Sequence, residues 1–352
     1  MILFEERLNY ICQQVFRMAK KCVLELRVTA AGKRFYCAAL SGESNYNICI
    51  NSDMTVSCNC QDYDGSGHIG DLNRESLEEA LASSKANLFR RSLASGKLPI
   101  LVCASCSDLK FTTPLEARHH AASWQMCTQG IMVENTVVCP YRCTACYRTL
   151  ILKSRRSTHM VLNDIRKVAA TIRRHGIKSL QYFSLGEPFA AHDIAKQIHI
   201  IREINPNLDI CISTNGLMLN TDEKLDAAML VNYIVFSIDG INDYTMNKYQ
   251  RGASFSKAYH NMRQLVAHRR QIGKSTPTIE WKYILFNWND HEKMILQAIE
   301  LARNAGVDSI EFRPTRNPFY GISWRFHIKK FFRTLGEPTP YGRRVRFDTR
   351  PA

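Results

Sequence analysis

The chain has 352 residues, enough for one large and one small domain, and its composition is globular, with 45% hydrophobic and 22% charged residues. No segment approaches the roughly 18 uninterrupted apolar residues of a membrane helix, and residues 1–7 carry acids where a signal peptide needs bases, so a soluble cytoplasmic protein is expected. The net charge of +15 sits in short patches (Arg155-Arg156, Arg173-Arg174, Arg269-Arg270, Arg343-Arg344 with Arg346), and no stripe of alternating bases and aromatics supports a nucleic-acid partner.

Residues 1–127 form a first region rich in Ser, Asn, Asp and Cys. Strand-like runs cover 47–50 and 54–57, and a helix is expected over 76–93. Cys58 and Cys60 make a C-x-C pair, followed by Cys103 and Cys106 as C-x2-C. Such paired short spacings suit a four-thiolate metal site, and spacing alone leaves zinc and iron–sulfur both open. The chain has thirteen cysteines, an odd number with no secretory segment, which argues against a disulfide framework. Cys12, Cys22, Cys37, Cys49, Cys127 and Cys211 are scattered and read as packing residues, with Cys49 and Cys127 as the substitutes within the upstream set. His119 and His120 are adjacent, face different sides of a helix, and read as surface or packing residues.

Residues 128–314 alternate in period. Strands are expected over 131–138, 178–184, 208–214, 232–239, 279–286 and 309–313, and helices over 159–175, 193–204, 222–229, 255–270 and 291–304. Gly176 and Gly306 lie just past two of the helices, where stop signals belong. Six strands alternating with five helices predict an α/β domain with a parallel sheet and right-handed crossovers, curled into a partial barrel or left open. In either form the reactive loops lie at the C-terminal ends of the strands. Residues 315–352 form a tail, packed on or extending from this domain, that is aromatic (Phe319, Tyr320, Trp324, Phe326, Phe331, Phe332) and basic.

Directly after the first strand stands Cys139-Pro-Tyr-Arg-Cys143-Thr-Ala-Cys146. Three thiolates on one short loop suit a [4Fe–4S] cube with one iron left open, whereas a structural zinc site wants four protein ligands. Three further stretches follow successive strands: Ser184-Leu185-Gly186-Glu187-Pro188, Ser213-Thr214-Asn215-Gly216 and Ser237-Ile238-Asp239-Gly240. Each alone is also a common turn sequence. Glu280 and Lys282 share one face of the fifth strand and either contact cofactor or substrate or form a buried ion pair; Arg313, ending the sixth, is a candidate anion contact for substrate, and Arg251-Gly252, after the fourth, a candidate loop clamp.

The triad and these loops resemble the radical S-adenosylmethionine (radical SAM) superfamily over about residues 128–314. The resemblance implies a (βα)6 partial TIM-type barrel and a [4Fe–4S] cluster on Cys139, Cys143 and Cys146. It further implies S-adenosylmethionine held by Gly186, Glu187, Pro188, Ser213, Asn215, Ser237 and Asp239. Two positions depart from the family pattern: Ala145 stands where an aromatic residue usually precedes the third cysteine, and Leu185 replaces the first Gly of the Gly-Gly-Glu-Pro loop. The upstream stretches 51–58, 69–72, 89–90 and 96–99, taken with Cys58, Cys60, Cys103 and Cys106, resemble a SPASM or twitch auxiliary domain. That likeness implies a small N-terminal α+β domain with a second [4Fe–4S] cluster, although such domains usually follow the radical domain.

The implied activity is reductive cleavage of S-adenosylmethionine to methionine and a 5′-deoxyadenosyl radical, which abstracts a hydrogen from a peptide or small-molecule substrate. The electron comes from a donor such as flavodoxin or ferredoxin. An auxiliary cluster suits oxidation or cross-linking of a peptide, or dehydrogenation of a sugar-like substrate, because a substrate radical losing a second electron needs an acceptor nearby. A redox-neutral epimerase or group transferase with a structural upstream cluster is the alternative. A zinc-stabilised nucleic-acid-binding module would suit the charge and the cysteine pairs but leaves the strand-end loops unexplained.

Overall fold

Apolar, β-branched runs between 130 and 314 form six strands. In chain order they are β1 (Gly130–Val133), β2 (Ser179–Gln181), β3 (Asp209–Thr214), β4 (Tyr233–Ser237), β5 (Thr278–Leu285) and β6 (Ser309–Pro314). They lie side by side in that order, and each neighbouring pair is parallel. Five helices make the crossovers: α1 (Leu162–Arg174), α2 (Ile194–Ile204), α3 (Asp222–Ala228), α4 (Phe255–Gln271) and α5 (Glu292–Ala305). The result is a (βα)6 partial TIM-type barrel. The computed structural model describes residues 2–60, 62–328, 331, 335, 337–338 and 345–349. Phe332, Arg343 and Arg344 lie outside these described residues.

The sequence dictates which face each element buries. In α1 the buried residues are Ile165, Val168, Ala169 and Ile172, a three-and-four spacing that lays one stripe on the sheet. Burying each large aliphatic side chain contributes about 1.5–3 kcal/mol. On β5 the side chains alternate. Trp281, Tyr283 and Leu285 join the hydrophobic core, while Glu280, Lys282 and Ile284 occupy the opposite face, with Lys282 and Ile284 opening onto a cavity at the strand ends. Gly306 ends α5 in the left-handed conformation at φ 72°, and its N–H bonds the carbonyls of Ala302 and Arg303.

Two expected boundaries move, each for a polar reason. The first strand stops at Val133, because Glu134 turns into a buried ion pair with Arg155 at 2.9 Å and Asn135 Nδ2 bonds Gln197 Oε1 at 3.0 Å. The expected helix over 76–93 is two helices, Leu77–Ala82 and Ser84–Ala94. Ser83 separates them and caps the second, its hydroxyl accepting the N–H of Ala86.

The sheet continues past both ends of the barrel. Cys49–Ile50 pairs in parallel with β1 and is followed by the antiparallel strands Thr55–Ser57 and His68–Asp71. At the far edge Val345–Asp348 runs antiparallel to β6, and Glu337–Pro338 pairs with it. From that edge Arg346 reaches the buried carboxylate of Glu280 at 2.8 Å, which also accepts from the Tyr233 hydroxyl at 2.7 Å.

A helix absent from the sequence expectations, Ile2–Ala30, runs ahead of all this. Its apolar residues fall at helical spacing, but Leu8, Ile11, Val15, Met18 and Leu26 are all at least half exposed. The inward face is mixed: Tyr10, Leu24 and Val28 pack on apolar clusters, with polar groups between them. Arg17 is buried and donates to the Tyr63 hydroxyl, and Lys21 Nζ donates to the Leu98 carbonyl at 2.7 Å.

Two glycines separate contact from conformation. A Cβ at Gly130 would overlap Asn45 O and Ser179 Oγ, whereas one at Gly176 would meet nothing, its cost being the φ of 59° alone. Gly130→Ala should therefore destabilise by about 3 kcal/mol and Gly176→Ala by about 1 kcal/mol. Urea denaturation measures both, and equal losses would contradict the close approach at Gly130.

Candidate functional site

The triad loop leaves the C-terminal end of β1 and is held on two sides. Arg142–Cys143 pairs antiparallel with Gln250–Arg251, beyond β4, and Thr144 N donates to Tyr249 O at 2.9 Å. Cys146 N donates to Cys143 O at 3.0 Å, which curls the end of the loop back on itself. Cys139, Cys143 and Cys146 are all half-buried and open onto one cavity of about 600 Å³. Burial pushes the Cys139 thiol up to about 11 and Cys143 well above the ordinary thiol range, so thiolates here require a partner cation. Among the described residues no three Cys, His, Asp or Glu side chains converge on a single-ion site. Three thiols on one cavity suit a cluster whose separate irons each take one of them.

The loops after the next three strands face the same cavity. Gly186 is packed so closely on Thr136 that a Cβ would overlap the Thr136 carbonyl, and Glu187 N donates to Val138 O at 2.8 Å. These contacts tie the β2 loop to the stem of the triad loop. The Glu187 carboxylate accepts from Thr214 Oγ1 at 2.7 Å, Asn215 N at 2.7 Å and Phe189 N at 3.1 Å. It thereby joins the β2 loop to the β3 loop. Burial raises Glu187 to about 6, with the three hydrogen bonds opposing that rise. Asn215 Nδ2 lies 3.6 Å from Cys139 Sγ, so the β3 loop touches the triad directly.

Farther round, the hydroxyls of Ser213 and Ser237 are 3.3 Å apart. Asp239, at the end of β4, accepts from Ile284 N at 2.8 Å, and burial raises it to about 6 while the nearby Lys282 ammonium opposes the shift. Of the sequence-derived set, Gly186, Glu187, Ser213, Asn215, Ser237 and Asp239 all line the cavity with the three cysteines. Pro188 does not line it and instead starts the buried turn Pro188–Ala190.

The upstream cysteines gather around a second, mainly apolar cavity. Cys58, Cys103 and Cys106 line it with Cys37, among Leu40, Phe89 and Leu109. Cys37 comes to the site because Arg34–Cys37 pairs with Leu109–Thr112, placing Cys37 opposite Leu109. Cys60 stands next to this cavity rather than in its lining, and its carbonyl accepts from Ser184 Oγ at 3.3 Å. Burial raises Cys60 and Cys103 to about 12, the thiol of Cys106 adding to each rise. The two cysteine groups are neighbours through the chain between them. Ser105, from the Cys103–Cys106 loop, lines the larger cavity, and Ser184 carries the bond to Cys60. Cys127 donates to Ser44 O at 2.7 Å and lies outside both linings, as does the buried Cys49.

The remaining candidates divide cleanly. Lys282 lines the cavity; Glu280 is engaged by Arg346 and Tyr233, and Arg313 pairs with Glu311. Arg251 belongs to the ladder that clamps the triad loop. His120 stacks on Tyr36 with ring centroids 3.9 Å apart. The sequence reading missed the cavity wall formed by Gln13, Phe16, Arg17 and Lys20, because the helix carrying it turns its polar side inward. It also placed Cys37 among the packing residues, since twenty residues separate Cys37 from Cys58 and no spacing motif links them.

Residues 133–279 match the model of the Radical SAM superfamily. The match marks the chain as an enzyme, and the cofactors of the matched superfamily are a [4Fe–4S] cluster and S-adenosylmethionine. No curated protein matches the sequence. Among solved structures, the chain is similar to that of TYW1 with a lysine–pyruvate adduct bound, at 12% identity over 64% of this chain and 81% of that one, with a TM-score of 0.43. It is also similar to anSMEcpe with bound AdoMet, at 14% identity over 52% and 50% of the two chains, with a TM-score of 0.41. A third is the methyltransferase TsrM from Kitasatospora setae with cobalamin and a [4Fe–4S] cluster bound, at 14% identity over 57% and 38%, with a TM-score of 0.40.

Asp239 gives this geometry a pH signature. Its folded pKa of about 6 lies above the ordinary 3.8, so its contribution to stability is fullest below 3.8 and is lost as pH rises through 6. Asp239→Asn removes that titration and keeps an acceptor for Ile284 N. The cluster-free variant should gain about 1.5 kcal/mol on wild type between about pH 5 and about pH 7.5. Urea denaturation at the two pH values measures the gain, and a pH-independent difference would contradict a buried, charge-averse Asp239.

Proposed function

We propose that the chain cleaves S-adenosylmethionine reductively at the cavity over the barrel strands and uses the product radical to take a hydrogen from its substrate. The observation that carries this reading is the convergence of four successive strand-end loops, with the cysteine triad on the first, onto one cavity of about 600 Å³. Cys139, Cys143 and Cys146 would hold the cube as thiolates, leaving one iron without a protein ligand. When bound, the cluster and S-adenosylmethionine together supply one-electron cleavage of the carbon–sulfur bond and hence the 5′-deoxyadenosyl radical.

The chain's own residues do the positioning. Glu187, fixed by three donors, and Gly186, fixed against Thr136, present the β2 loop to the methionyl end of the cofactor. Asn215 contacts the triad at Cys139 and stands beside Ser213, whose hydroxyl faces that of Ser237. These polar groups suit the ribose and carboxylate of the cofactor. The buried Tyr141 and the half-buried Tyr249 close the wall and limit water.

In this reading the upstream cysteines hold a second cluster in a SPASM- or twitch-like arrangement, with Cys37, Cys58, Cys103 and Cys106 as ligands and Cys60 beside them. Direct contact of the Cys103–Cys106 loop with the main cavity, through Ser105, favours an electron acceptor for oxidation of a peptide or a sugar-like substrate. A protein such as flavodoxin or ferredoxin would supply the first electron.

Anaerobic reconstitution with iron and sulfide, then incubation with S-adenosylmethionine and dithionite, tests the reading. Wild type should be brown and release 5′-deoxyadenosine. Simultaneous replacement of Cys139, Cys143 and Cys146 by Ala should abolish release yet keep about half the iron, the share of one of two equal clusters. Adding Cys37→Ala, Cys58→Ala, Cys103→Ala and Cys106→Ala should remove the rest. Colourless, zinc-rich wild type that releases no 5′-deoxyadenosine would overturn the proposal.

A further inference from the structure

The cavity carries more positive charge than its own carboxylates balance. Arg17, Lys20, Arg148, Lys282 and Arg316 line it, against Glu187 and Asp239. Glu187 is consumed by its three donors, and Asp239 has Lys282 close by. S-adenosylmethionine brings one carboxylate, offset by its own ammonium and sulfonium. Arg148 stands near Cys139, where a thiolate-held cluster would draw on its charge. Arg17, Lys20 and Arg316 are left, and among the described residues none of the three has a carboxylate within ion-pair distance.

These three occupy one side of the cavity. Arg17 donates through Nη1 to the Tyr63 hydroxyl; the Tyr63 and Tyr147 rings lie 4.4 Å apart; and Asn317, next to Arg316, donates to the Tyr147 hydroxyl at 3.5 Å. A continuous chain of contacts therefore runs from the Ile2–Ala30 helix to the loop after β6. Arg17 is only 6% exposed, and its Nε is a buried donor with no hydrogen-bond partner. A buried, unpaired guanidinium donor is costly to leave unmet. At the cavity the same helix presents Gln13, Arg17 and Lys20 while Ile11 and Val15 face outward, which forfeits hydrophobic burial. A ligand for the inward cations accounts for both features.

We propose that this wall, formed by Arg17, Lys20 and Arg316, binds an oxyanion of the substrate, so that the substrate is a phosphorylated or carboxylated molecule. The proposal rests on the reading of the cavity as the radical site, and it narrows the substrate class. Arg17 meets the anion through its guanidinium, which Tyr63 anchors, and Lys20 and Arg316 add charge from the same wall.

The test uses the full-length, reconstituted protein with S-adenosylmethionine bound, titrated calorimetrically with inorganic phosphate and, in a separate arm, with succinate. At least one should bind saturably, the arm that binds naming the anion. Lys20→Gln with Arg316→Gln should weaken that binding at least about tenfold, the order expected for losing a charge-assisted contact. Lys293→Gln, which removes an exposed charge on α5, should leave it unchanged and so controls for the overall positive charge. Binding of neither anion, equal binding by the double variant, or equal weakening by Lys293→Gln would overturn the anion wall. Release of 5′-deoxyadenosine from the same preparation is scored separately. Its absence would refute the radical reading, whereas its presence without anion binding would refute only the wall.

Discussion

The buried carboxylate of Glu187 is the joint on which the site depends. A carboxylate outside any ion pair is costly inside a protein, and this one is tolerated because three donors from two loops converge on it. Its own backbone N–H is tied to Val138, at the stem of the triad loop, and the preceding Gly186 rests on Thr136. One residue therefore fixes the relative positions of the loops after β1, β2 and β3. Asn215, which shares the carboxylate, reaches Cys139, so the same constraint extends to the first cysteine.

A second buried pair does the corresponding work for the N-terminal region. Arg155 bonds Glu134 and also donates to Asn51 Oδ1 at 2.9 Å, locking the upstream strands against the end of β1 and the segment that follows the triad. Together with the bond from Ser184 to the Cys60 carbonyl, this sets the upstream cysteines next to the cavity over the barrel strands. Cys49–Ile50 even extends the barrel sheet, so residues 1–127 are joined to the barrel by backbone pairing as well as by side chains.

The barrel was legible because its signals are local. β-branched runs end in polar loops, α1 shows a clean apolar stripe, and the cysteine triad occupies one short loop after a strand. Each strand-end motif then lands where a parallel sheet puts its reactive loops. What sequence reading missed depends on distant pairing or on orientation. Cys37 reaches the upstream site only because its strand pairs with Leu109–Thr112. The Ile2–Ala30 helix has a helical apolar period, yet its orientation reverses the usual rule, so Arg17 and Lys20 could not be assigned to a cavity. The first strand is shorter than its apolar run suggests, because Glu134 and Asn135 look like an edge of the run while their buried partners lie elsewhere in the chain.

The central claim is that the cavity above the barrel holds an iron–sulfur cube on Cys139, Cys143 and Cys146 with S-adenosylmethionine beside it. The most direct measurement is an anaerobic crystal structure of the reconstituted protein with S-adenosylmethionine, using anomalous scattering at the iron edge. The account predicts iron bonded to the Sγ atoms of all three cysteines, with the methionyl end of the cofactor on the remaining iron beside the Glu187 loop. Iron absent from the triad, or a single zinc ion bound there, would contradict it.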